Sequence, residues 1–246
     1  ANLGLKSTVN EGLVFYLDAA NPYSNPISTQ GDTSPPWNDL SEYKYGGNIY
    51  NSPTYSNTGA SSYIEFNAVN QYYKITNTTS TLTFGANPFS IEFWVNRYDR
   101  EILLDCTAFR SLGLDPYPYI DFRQGYSNRL VYRPYDESSV IFGGSADNPT
   151  ATDTTWTGWR HYVISREGTG TNECKLYYNG SLVSQGTDAN THIMPYTYVL
   201  ANSWELGNLS SDAFYGRIGL FKVYNSKALS ATEVLQNYNA TKGRYK

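Results

Sequence analysis

The chain has 246 residues, enough to bury a substantial core in one large all-β unit or in two small ones. Charged residues make up only 16% of it, aromatics another 16% with 24 tyrosines, and the formal net charge is −4. That balance, with no Lys/Arg cluster, argues against a nucleic-acid binder, which needs a basic field. Apolar runs of about five residues are too short to span a membrane.

Residues 1–12 read as a small, polar arm with little periodicity. Leu13–Asp18 is the first strand. From Ala19 to about Thr58 the chain is rich in Pro, Ser, Asn, Gly and Tyr. A polar stretch this long is unusual in a compact domain. Its aromatic content speaks for an ordered surface excursion pinned by Trp37, Leu40 and the tyrosines, because disordered segments are poor in aromatics.

Strands then follow at short spacing. Ser62–Phe66 and Tyr72–Thr76 flank a turn at Asn67–Asn70. In Phe89–Arg97, Phe89, Ile91, Phe93 and Val95 take one face, and Ser90, Glu92, Trp94 and Asn96 the other. Period two predicts a half-buried strand. Glu101–Cys106, Tyr119–Arg123, Arg129–Arg133 and Ser138–Phe142 come next. Trp159–Arg166 and Glu173–Tyr178 form a hairpin, and Asn179-Gly180 turns the chain into Ser181–Gln185. Asn-Gly is a strong hairpin signal because both central residues take positive φ. Trp204–Gly207 and Phe214–Asn225 complete the set.

One helix is signalled at about 231–239. Ser230 can cap it, and Glu233 can reach back to close a capping box. Val234, Leu235 and Tyr238 form its apolar stripe. The basic tail Lys242-Gly243-Arg244-Tyr245-Lys246 suits the helix dipole. Many short strands and one helix predict an all-β fold: a two-sheet antiparallel jelly-roll sandwich, a single domain over 13–246 behind the arm 1–12.

The chemistry-bearing residues are few. Glycosidic cleavage needs two carboxylates about 5–5.5 Å apart for retention. Glu101 and Asp105 can share a strand face, but the apolar residues between them read as core. His161 and His192 show neither a triad context nor metal-ligand spacing, and His161 reads as a structural polar residue. Cys106 and Cys174 leave a single bridge open, with two half-buried thiols as the plainer reading. Four sequons, at Asn77, Asn179, Asn208 and Asn239, are the kind of short motif that arises by chance. Tyr117, Tyr119, Tyr126, Tyr132 and Tyr135 lie in or beside mid-chain loops and are candidates to stack on sugar rings. On composition alone, core packing or a protein interface is the commoner use of such tyrosines.

The order of several landmarks carries a resemblance. Gly12-Leu13-Val14-Phe15-Tyr16-Leu17-Asp18-Ala19-Ala20-Asn21-Pro22 is followed by Trp37-Asn38-Asp39-Leu40-Ser41. Then come Phe89–Val95, Trp159–Val163, the Leu176–Gly180 hairpin, Leu206-Gly207-Asn208 and the closing strand with Ala228-Leu229-Ser230. This arrangement resembles the laminin-G-like, concanavalin-A-like β-sandwiches. The Leu-Asp-Ala-x-Asn-Pro start and the Val-Leu-Gln-Asn-Tyr-Asn-Ala helix are similar to a subgroup found in tailed-phage virion proteins, including head fibres, decoration proteins and tail adhesins. The resemblance implies a recognition or structural module without catalysis, held in a larger assembly at the virion surface. Other virion proteins and host-surface glycans would be its partners. It also implies calcium as a possible cofactor at loop edges, with Asp18, Asp39 and Asp212 as candidate ligands by context. A secreted bacterial carbohydrate-binding module is the alternative, and a glycoside hydrolase the third reading.

Two stretches depart from the subgroup. Glu42-Tyr43-Lys44-Tyr45-Gly46-Gly47-Asn48 replaces much of an Asn/Gly-rich tract, and Phe66-Asn67-Ala68 replaces a frequent Phe-Asp-Gly. The second change removes a carboxylate and weakens any site carried over from relatives.

Overall fold

A computed structural model describes residues 7–25, 36–58, 61–68, 71–76, 82–98, 105–112, 119–123, 129–133, 158–191, 197–200 and 214–246. Fourteen strands and one α-helix are described. In chain order the strands are β1 (Leu13–Asp18), β2 (Gly47–Tyr50), β3 (Thr54–Thr58), β4 (Ser61–Phe66), β5 (Tyr72–Thr76), β6 (Phe89–Arg97) and β7 (Asp105–Leu112). They continue with β8 (Tyr119–Arg123), β9 (Arg129–Arg133), β10 (Arg160–Arg166), β11 (Cys174–Tyr178), β12 (Ser181–Gly186), β13 (Thr197–Leu200) and β14 (Gly216–Asn225). The helix is α1 (Ala231–Thr241).

The strands build two antiparallel sheets, a jelly-roll-like sandwich. One sheet runs β12-β11-β10-β6-β14-β4-β3, with β1 beside β4 on the same edge of β14; the other runs β2-β5-β13-β7-β8-β9. Side chains from both sheets meet in one core, with Ile64, Phe93 and Phe221 from the first and Tyr73, Ile120 and Tyr132 from the second. The Asn179-Gly180 turn has φ of 47° and 84°, the conformation that its sequence predicts.

Sequence periodicity misjudged β6. It predicts one wet face, yet Ser90, Glu92 and Trp94 are buried as fully as their apolar neighbours. The cause is the C-terminal segment, which lies across the outer face of the first sheet. Trp94 stacks on Tyr245 at 4.5 Å and on Tyr238 at 5.8 Å, and its indole N–H donates to Thr241 Oγ1 at 2.9 Å. Gly219 makes room for this cover, since a Cβ there would lie 2.4 Å from the Tyr245 ring. Such aromatic pairs add about 0.5–1.5 kcal/mol each beyond their burial. At the helix start, Ser230 and Glu233 form the predicted capping box, worth about 1 kcal/mol.

The excursion after β1 also differs from the polar loop expected. Trp37 is buried against Tyr73, whose hydroxyl donates to the Trp37 carbonyl at 2.6 Å, so the pinning by Trp37 holds. The same stretch carries β2 and β3, which lack alternating apolar residues and draw their order from pairing with β5 and β4. β13 was likewise not foreseen. The strands expected at Ser138–Phe142 and Trp204–Gly207 lie outside the described residues. So do residues 101–104 of the one expected at Glu101–Cys106, where β7 begins at Asp105.

The described part of the arm is not a free tail. Val9 N–H donates to Asn237 Oδ1 at 2.8 Å, its carbonyl lies 3.1 Å from Tyr224 Oη, and Lys227 pairs with Glu11 at 3.1 Å. Residues 7–12 are thus laid along α1 and the end of β14.

Candidate functional site

Two chemically distinct places stand out: a sealed polar cluster under α1, and an open groove beside β1.

The cluster centres on Glu92, which is wholly buried. Its carboxylate accepts from Asn237 Nδ2 at 2.7 Å and from Tyr224 Oη at 3.1 Å, and lies 3.1 Å from His161 Nε2 and 4.0 Å from Lys222 Nζ. Burial alone pushes the Glu92 pKa up. The Lys222 charge, the hydrogen bond and charge of His161 and the Asn237 amide outweigh that and bring it to about 2. Lys222 loses more by burial than Glu92 and Asp18 return, so its pKa is lowered. A carboxylate held ionised, with no opening to solvent, is a poor general acid. This cluster joins the sheet to the helix. Its members come from β6, β10, β14 and α1, so only His161 was noticed in sequence, as a structural residue.

The groove has a volume of about 850 Å³ and is walled by the arm, β1, the 40–43 segment and the end of β14. Its aromatic surfaces come from Tyr16 and Tyr43, its amides from Asn10, Asn21 and Asn225, and its carboxylate from Glu42. Tyr43 is 43% exposed and stacks on the buried Tyr45 ring at 5.8 Å with 10° between planes. Desolvation and the neighbouring Glu42 carboxylate raise the Tyr43 phenol.

The wall is rigid because the outer edge of β1 is closed. Asp39 Oδ1 accepts from the Tyr16 and Ser41 amides, both at 2.9 Å, and Asp39 Oδ2 from Ser41 Oγ at 2.6 Å and the Tyr45 amide at 3.0 Å. Leu40 N–H donates to the Tyr16 carbonyl and Asp18 N–H to Ser24 Oγ, while Ser41 Oγ lies 3.0 Å from the Val14 carbonyl. An open strand edge invites unwanted pairing. The Trp37–Ser41 landmark closes this one and fixes Tyr43 above it.

These contacts bear on calcium. Asp39 has its oxygens filled by four protein donors. Asp18 is held bidentately by Arg244, with one contact at 3.0 Å, and also accepts from Tyr16 Oη at 2.8 Å and the Ala20 amide at 3.0 Å. A hard cation needs several free oxygens. Neither carboxylate fits that role, and no group of three or more His, Cys, Asp or Glu among the described residues is arranged to hold a metal. The basic tail therefore has a different use from the one expected: Arg244 ties the C-terminus to β1. Asp212 lies outside the described residues.

Of the five candidate tyrosines, Tyr132 is fully buried in the core and its hydroxyl donates to Asp188 Oδ2 at 2.9 Å, so its ring has no face for a ligand. Tyr119 opens β8, but its side chain, with Tyr117, Tyr126 and Tyr135, lies outside the described residues. Cys174 is a buried thiol, and the side chain of Cys106 lies outside the described residues. Tyr16 and Tyr43 were missed as site residues. The available signal was the departure at Glu42–Asn48, which places two tyrosines and an acid where an Asn/Gly-rich tract was expected.

The strand order, the two sheets and the closing helix define a jelly-roll β-sandwich protein. The chain belongs to the concanavalin A-like lectin/glucanases superfamily, whose Laminin_G_3 model matches residues 66–235. Among solved structures it is similar to the binding domain of botulinum neurotoxin DC in complex with rat synaptotagmin II (TM-score 0.67, 16% identity, covering 94% of this chain and 52% of that one). It is also similar to the same binding domain in complex with SialylT (0.68, 15%, 95% and 52%). A third is the binding domain of Paraclostridial Mosquitocidal Protein 1 (0.66, 18%, 96% and 53%). The chain spans about half the length of these domains, and identities this low show the fold alone. No curated protein matches the chain.

Proposed function

We propose that this chain is a non-enzymatic recognition module of a tailed-phage virion, displayed as a capsid decoration, fibre or tail adhesion domain that contacts glycan on the host surface. The observation that carries recognition is the groove beside β1, where aromatic faces and amides are held on a closed strand edge. Rigid placement of such groups favours binding, because little order remains to be imposed on association. The binding domains of similar fold, one in complex with SialylT and one with a protein, agree with a surface-recognition role. The non-catalytic reading is supported by the buried carboxylates. Asp18, Asp39, Glu92 and Asp188 are each bound by internal donors. The virion assignment rests on the resemblance of the chain's landmarks to the phage subgroup.

The test has three arms: mass spectrometry of purified particles, a binding assay of the purified chain on host cells, and reducing-sugar release from host glycans. Presence in particles with cell binding and no sugar release supports the proposal. Absence from particles, or sugar release that the chain itself causes, overturns it.

A further inference from the structure

Resting on the glycan-binding reading above, we infer that the groove beside β1 takes neutral pyranose sugars, with Tyr43 as the stacking platform, and rejects sugars that carry a carboxylate.

The argument has three parts. Tyr43 gives one ring face to Tyr45, at 5.8 Å and 10°, and remains 43% exposed. A ring fixed in this way offers an apolar surface at low entropic cost. Around it, Asn10 and Asn21 supply side-chain amides, groups that can both donate and accept as sugar hydroxyls require. The charge then selects among sugars. Glu42 is the acid of the wall, and no Lys or Arg is among the described residues that line it. Two lysines adjoin lining residues in sequence, and neither lines the groove itself. Lys44 Nζ donates to the Leu40 carbonyl at 3.2 Å, and Lys227 Nζ pairs with Glu233 at 2.7 Å and Glu11 at 3.1 Å. A carboxylated sugar in this groove would face Glu42 with no lining cation to compensate it, and like charges at close range repel.

The experiment is a glycan array of neutral hexose and N-acetylhexosamine oligosaccharides beside the same series capped with sialic acid. It is run on the wild-type chain and on Tyr43→Ala, Glu42→Gln and Tyr50→Ala. Tyr50 is 37% exposed and stacks on Tyr72, away from the groove, so its removal controls for general loss of surface tyrosine. Thermal melts confirm that each variant is folded. The expected result is binding of neutral glycans at least tenfold over their sialylated counterparts, a tenfold or greater loss in Tyr43→Ala and no more than a threefold change in Tyr50→Ala. Glu42→Gln narrows the neutral-over-acidic preference. Glycan binding that survives Tyr43→Ala, or that prefers sialylated chains, overturns the groove assignment and leaves the recognition proposal standing. No binding to any glycan overturns both.

Discussion

Neutralising Glu92 is the most direct way to ask what holds the C-terminal helix on the sheet. In Glu92→Gln the shape is kept, but Lys222 stays buried opposite a neutral group. The folded carboxyl has a pKa of about 2 against an ordinary 4.5. That gap of roughly 2.5 units, at 1.36 kcal/mol per unit, is about 3 kcal/mol of stability at neutral pH. Because the folded pKa is lowered, this contribution is complete above about pH 4.5 and is lost as pH falls toward 2. Glu92→Gln is therefore expected to unfold about 3 kcal/mol more easily in urea at pH 7, with Tm lower by roughly 6–12 °C for a chain of this size. The gap between wild type and variant is expected to close as the buffer is taken from pH 4.5 to pH 2. Adding Lys222→Met to the variant is expected to recover part of the loss, since a buried unpaired charge is replaced by apolar volume. A variant within 1 kcal/mol of wild type at pH 7, or a stability gap that does not change below pH 4.5, would refute the account.

Two further outcomes follow from the same physics. Asp39→Ala strips three backbone amides, of Tyr16, Ser41 and Tyr45, of their acceptor. The expected loss is about 3–5 kcal/mol in urea titration, at about 1–3 kcal/mol per buried donor left unpaired with some relief from water. In alkali, burial raises the phenols of Tyr16, Tyr73, Tyr132, Tyr224 and Tyr245 above the ordinary 10.0. Their stabilising contribution is complete below pH 10 and falls away above it. Absorbance at 295 nm is expected to show these tyrosines ionising only together with unfolding, and their smooth titration in the folded chain would count against their burial.

The elements most legible in sequence were those whose instructions are local. Period two marked β6, Asn179-Gly180 marked the β11–β12 turn, and Ser230 with Glu233 marked the helix start. β2 and β3 were not legible, because their order comes from partners and not from their own apolar pattern. The site was less legible still. A tyrosine reads the same in sequence whether it is sealed in the core like Tyr132 or exposed like Tyr43.

What sequence alone determined about this protein is its class: many short strands, hairpin turns and one capped helix, in an order that admits a jelly-roll sandwich. Tertiary structure decided which polar groups face water. Glu92 lies on the nominally wet face of β6, but Tyr238, Asn237 and Tyr245 arrive there from about 150 residues further along the chain and seal it. Asp18 is likewise removed from metal chemistry by Arg244, 226 residues away. Burial and charge pairing are sums over neighbours in space, and local periodicity carries no record of neighbours that come from the far end of the chain.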